Sequence, residues 1–120
     1  MLINDFFSIE NKTQVEENVV FAIKMHKNHK VYDGHFPSQP VAPGVCLAQM
    51  VKEICETEVG NELKMLEARN MKFMAVLNPF ENEIVSVDLK IKEENDVFTI
   101  KAHCKNEEKS FFKIDAKYSK

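Results

Sequence analysis

The last third of the chain alternates apolar and polar residues over three successive stretches, a period of two that only strands with one buried face satisfy. Val85, Val87, Leu89 and Ile91 alternate with Ser86, Asp88, Lys90 and Lys92. Phe98, Ile100, Ala102 and Cys104 alternate with Thr99, Lys101 and His103, and Phe112, Ile114, Ala116 and Tyr118 with Lys113, Asp115 and Lys117. The turns between them, Glu94-Asn95-Asp96 and Asn106-Glu107-Glu108, are short enough to make each neighbouring pair an antiparallel hairpin. Residues 5–11 and 17–26 read as two further strands, the second with Phe21, Ile23 and Met25 on one face and Lys24 and His26 on the other.

One helix is predicted, from about Pro43 to Val59. Proline sits in the first turn, where its missing N–H costs nothing, and Gly60 supplies the stop. Leu47, Met50, Val51, Ile54 and Cys55 form its apolar stripe, while Gln49, Lys52, Glu53 and Glu56 lie opposite. The stretch from Leu63 to Met74 fits neither the helical nor the strand period well; it is read as a strand. Two strands, one helix and four strands imply an α+β domain, residues 1–120, with an antiparallel sheet wrapped around a central helix. One helix covers only part of such a sheet, which implies a dimer formed through a sheet edge or face.

At 120 residues the chain can remove roughly two thirds of its unfolded surface from water without disulfides or a structural metal. A net charge of −3 with no isolated Lys/Arg block argues against nucleic acid as a partner. No apolar run approaches the roughly 18 residues of a membrane span, and Met1 to Asp5 carries no basic flank, so the expected location is the cytoplasm. The odd count of 3 cysteines agrees with reduced thiols. Cys46 and Cys55 on one helix would stand about 13.5 Å apart along its axis, beyond disulfide reach. His26, His29 and His35 do not make a metal site, because 26 and 29 fall on opposite faces if the strand persists and no cysteine lies at ligand spacing.

The chemistry concentrates in Tyr32 to Met50, YDGHFPSQPVAPGVCLAQM. His35 follows an Asp33-Gly34 turn and precedes Phe36-Pro37, so a stiff loop aims the side chain best suited to take a proton near neutral pH. A helix starting at Pro43 directs free N–H groups and its positive end toward that loop, and Gly44 is the first residue able to donate. Base and oxyanion site would then share one loop-to-helix junction. Two plainer readings stay open: His35 as a loop histidine bonded to backbone, and Gln49 as the start of a solvated stripe. The prolines 37, 40 and 43 also have the spacing of a polyproline ligand, but no arginine flanks them.

The run His35-Phe36-Pro37, Pro40-Val41, Pro43-Gly44-Val45 matches, at 8 of 11 positions, the H-F-P-x-x-P-[IV]-M-P-G-V segment of the hotdog-fold 3-hydroxyacyl-ACP dehydratases, and the chain resembles that family. Asn70-Met71-Lys72-Phe73, Asn78-Pro79 and Glu83-Ile84-Val85 echo its later strand-turn-strand segment. The resemblance implies a homodimer, or a higher oligomer of dimers, that removes water from a 3-hydroxyacyl thioester to give the trans-2-enoyl form, with no metal or redox cofactor. It implies His35 as base, the Gly44 amide as carbonyl-oxygen site, Phe36, Pro43 and Val45 around the substrate, and a helix acid from the other subunit. That acid position, 14 residues after His35, holds Gln49. A carboxamide has no proton to give at neutral pH, and general acid assistance is worth about 10²–10⁴ in rate.

Three outcomes follow: slow dehydration by His35 with water serving the leaving group, recruitment of Glu53 one turn along the helix, or retention of binding alone. Two other functions share the scaffold. One is a hotdog thioesterase with His35 or Glu53 activating water; the other is a non-catalytic acyl-binding subunit whose relative supplies the acid. The thioester would arrive on acyl carrier protein or coenzyme A, with Lys24, Lys27 and Lys30 as a docking patch for an acidic carrier. Met65, Met71, Met74 and Phe73 would line an acyl pocket, or more simply fill the core.

Overall fold

The computed structural model describes residues 1–33 and 40–120. Its order is β1 (Phe7–Val15), β2 (Asn18–Met25), a 3-10 turn (Lys30–Tyr32), α1 (Gly44–Val59), β3 (Lys64–Phe73), β4 (Ile84–Glu94), β5 (Val97–Lys105) and β6 (Ser110–Ser119). The strands form one sheet in the order β1-β2-β4-β5-β6-β3, every neighbouring pair antiparallel. This is the expected α+β architecture, with two small corrections. β1 starts at Phe7 because Asp5 and Phe6 lie in a turn, and Pro43 is the N-cap of α1 rather than its first residue. Its extended backbone, φ −64° and ψ 143°, suits the cap position and not the helix.

The alternating residues of the last three strands do what their period requires. Val87, Leu89, Ile100, Cys104, Ile114 and Ala116 are all buried, and so are Leu47, Met50, Val51, Ile54 and Cys55 of α1, in one shared core. Asn95 and Asp96 both take positive φ, 53° and 62°, in the two-residue turn whose twist matches a tight hairpin. Asn106 Oδ1 accepts N–H bonds from Glu108 and Lys109 and so fixes the next turn. α1 ends at Gly60, whose φ of 81° suits a residue without a side chain. The three cysteines are free, and burial pushes the Cys55 and Cys104 thiols up to about 12.

β3 explains why its stretch of sequence resisted a period. Against β6 its register skips twice, so that Leu66 and Arg69 have no paired residue opposite them. Each such bulge adds one residue and shifts the alternation. The residues set against the buried side of β6 are Met65, Ala68, Met71 and Phe73, opposite Tyr118, Ala116, Ile114 and Phe112. Spacings of three, three and two mimic a helix on paper while the backbone remains extended.

β3 is also a sheet edge, and the whole strand is exposed. Met65, Leu66, Met71, Phe73 and the following Met74 all present large apolar side chains to the surroundings. The simpler expectation for the methionines and Phe73, core filling, is therefore corrected: nothing in this chain stands beyond the edge to cover them. Among the described residues, no helix is long and apolar enough to cross a membrane.

Candidate functional site

The site is built around the first turn of α1. Pro43 offers no side-chain cap, and its carbonyl accepts from Cys46 and Leu47, so the N–H groups of Gly44 and Val45 have no helical acceptor. The approach to this turn is fixed by Ala42, buried, whose N–H donates to the Leu77 carbonyl at 2.9 Å. Phe73 lies directly against Gly44: a Cβ there would stand 3.2 Å from the Phe73 Cζ, tighter than ordinary contact. Phe73 itself rests on Phe112, ring centroids 5.9 Å apart. Glycine thus serves here because an aromatic ring from the edge strand closes over the helix start.

A cavity of about 410 Å³ opens beside that turn, lined by Val41, Gly44, Leu47, Phe73, Met74 and Leu77 among others. It is apolar apart from the helix N–H groups, which suits a substrate with a carbonyl at one end and a hydrocarbon chain. Phe73 and Met74 line it, as the acyl-pocket reading expects; Met65 and Met71 sit further along the edge. His35 and Phe36 lie outside the described residues. Val45 points outward, 78% exposed, and is not among the residues lining the cavity.

Gln49 and Glu53 are brought together one turn apart. Gln49 is half-buried, and its Nε2 donates to Glu53 Oε2 at 3.0 Å. Glu53 is 1% exposed, covered by the start of the chain: the Leu2 N–H bonds both carboxylate oxygens at 2.8 and 2.9 Å, and the Ile3 N–H bonds Oε1 at 2.8 Å. Burial pushes the Glu53 carboxyl up, but the bonds from Leu2, Gln49 and Ile3 outweigh it and hold the group below its ordinary range. A buried carboxylate so engaged has neither a proton to give nor a free face for substrate. Helical periodicity placed Glu53 on the polar face; its burial by residues fifty positions away left no local trace in the sequence.

The two described histidines also depart from expectation. The strand ends at Met25, and His26 and His29 converge on Asp5 instead of diverging. His26 Nδ1 meets the Asp5 carbonyl at 3.0 Å, which makes it the donor, and Nε2 pairs with Ser8 Oγ. His29 Nδ1 accepts from the Val31 N–H, so Nε2 carries the proton that faces the Asp5 carboxylate at 3.3 Å. They pin the N-terminal turn, and among the described residues no group of His, Cys, Asp or Glu is placed to hold a metal. Lys24, Lys27 and Lys30 line one cavity with Asp5 and Glu83, and Glu83 lies 4.0 Å from Lys27, so the patch is partly neutralised.

Comparison with known proteins agrees with this geometry. The family model described as ApeI-like, ApeI dehydratase, matches residues 11–113. No curated protein gives a match. Among solved structures, the dehydratase heterocomplex ApeI:P from Xenorhabdus doucetiae superposes with a TM-score of 0.73 at 17% identity, covering 93% of this chain and 96% of that one. An uncharacterized protein from Erwinia carotovora subsp. atroseptica gives 0.69 at 18% identity, with 92% and 90% covered. A hypothetical protein from Staphylococcus aureus gives 0.66 at 14%, with 94% and 91% covered. The shared architecture is the hotdog fold.

Proposed function

The chain belongs to the ApeI-like family of dehydratases, and from that premise we propose that it eliminates water from a 3-hydroxyacyl thioester carried on acyl carrier protein or coenzyme A. The observation that carries this reading is the uncapped start of α1, two free N–H groups beside an apolar cavity that Phe73 closes. In the reaction His35 takes the α-proton, the electron pair forms the Cα–Cβ double bond, and the Cβ–O bond breaks. The hydroxyl departs as water, its proton returned from His35 or delivered by solvent. Charge that gathers on the thioester oxygen meets the Gly44 N–H at the positive end of α1, where a preorganised donor acts with little reorganisation. Gln49 occupies the position of the leaving-group acid and holds the hydroxyl without protonating it, which makes this a slow dehydratase.

The apolar β3 edge supports a second part of the proposal: two copies pair through β3, which continues the sheet and covers Met65, Leu66, Met71 and Phe73. Gln49 of one copy would then serve the His35 loop of the other. Pairing with a different hotdog chain that supplies an acid is the alternative, favoured by Gln49 and by the heterocomplex state of the Xenorhabdus structure. A thioesterase using Glu53 is disfavoured, because that carboxylate is buried and fully bonded.

Mass spectrometry of purified chain with 3-hydroxyacyl thioesters on both carriers tests the reading. Enoyl product from wild type, its loss in His35→Ala and its acceleration in Gln49→Glu are expected. Inertness of wild type and Gln49→Glu toward every thioester would leave a binding subunit instead, and release of free acid would reassign it as a thioesterase.

A further inference from the structure

Glu53 is the one buried carboxylate that this reaction does not use, and its bonding dictates what its neighbour presents. A carboxylate that accepts three bonds from two backbone N–H groups is ionised and can only accept. The Gln49 group 3.0 Å away must therefore be the NH₂ side of the carboxamide, since the opposite orientation would set two acceptor oxygens against each other. The carbonyl Oε1 of Gln49 is then directed away from Glu53. A free glutamine shows a donor or an acceptor with equal ease; this one is committed.

Resting on the reading that position 49 meets the acyl thioester, we propose that Glu53 is a positioning residue: it locks the Gln49 carboxamide so that Oε1 accepts a hydrogen bond from a hydroxyl on the substrate's β-carbon. The pair thereby selects hydroxylated acyl chains over saturated ones, although it supplies no proton. The Leu2 and Ile3 N–H groups act one step behind, holding Glu53 in the orientation that commits Gln49.

The test is calorimetric binding to the full chain in a His35→Ala background, which leaves the ligand intact. A 3-hydroxyacyl pantetheine thioester is compared with its saturated analogue. A single neutral hydrogen bond predicts a preference of about two- to tenfold for the hydroxylated ligand. Gln49→Leu should bring the ratio to one, and Glu53→Gln should lower it, because a carboxamide at 53 meets either orientation of its neighbour. General loosening of the structure would weaken both ligands alike and leave the ratio intact. Should Glu53→Gln fail to fold, the Gln49 side-chain amide is read by NMR in the otherwise unaltered chain. One of its two protons, shifted downfield and slow to exchange, supports the lock, and two equivalent, rapidly exchanging protons overturn it. A hydroxyl preference that survives Glu53→Gln overturns the positioning role while turnover by wild type still upholds the dehydratase reading. Failure to bind either ligand removes both.

Discussion

The two edges of the sheet are built on opposite terms. β1 exposes Glu10, Asn11, Lys12, Thr13 and Gln14, a polar row of the kind that discourages further pairing, and Lys12 adds an ion pair to Glu58 of the helix. β3 exposes Met65, Leu66, Met71 and Phe73. An edge that is apolar on a strand this long is an aggregation hazard unless a partner covers it. The contrast shows that a single chain carries one finished border and one open one, and the open border is the one next to the helix start and its cavity.

The hardest blow to this asymmetry is charge on the open edge. Leu66→Lys with Met71→Lys is expected to weaken self-association by about 100-fold or more, as removal of central apolar anchors does, whereas Thr13→Lys on β1 leaves it unchanged. Light scattering across a dilution series decides, and equal effects at both edges would erase the distinction.

A second experiment strikes the finished side, where Glu53 ties down the residues leading into β1. Glu53→Gln should cost about 1–3 kcal/mol in denaturant unfolding, because buried N–H groups lose a charged acceptor. The same group sets a pH dependence. Its folded pKa lies below the ordinary 4.5, so its contribution is fully present above that value and is lost as pH falls through the lower folded one. Unfolding curves should therefore show wild type and Glu53→Gln converging in acid; a constant gap would contradict the assignment.

Smaller effects sharpen the picture. Gly44→Ala pushes on a Phe73 ring that is 49% exposed and free to move, so stability should change by less than about 1 kcal/mol while thioester turnover falls further. Comparable losses in both would mean that the ring is fixed. Lys12→Ala should cost about 0.5 kcal/mol or less, since the lysine is largely exposed and the pair is screened.

How much of this was legible beforehand follows the range of the forces involved. The inner faces of β4, β5 and β6 and the stripe of α1 were readable because alternation and the 3.6-residue period are local. Gly44 was readable because the motif and the helix entry coincide. The burial of Glu53 was not, since it depends on Leu2 and Ile3 folding back across the helix, a contact no window of sequence contains. The convergence of His26 and His29 was hidden by the strand ending at Met25, one residue short of the expectation. His35, the residue on which the chemistry most depends, lies outside the described residues, so its role rests on the motif and on the assay above.

The double bulge of β3 sets a rule of parity. One extra residue exchanges the two faces of everything beyond it, and a second restores them, so Phe73 reaches the helix start only because Leu66 and Arg69 are inserted together. Deleting either one alone would turn Phe73 away and lay Lys72 against Gly44; deleting both would shorten the strand yet keep its faces. In this edge, length is the tolerant quantity and evenness is the constrained one.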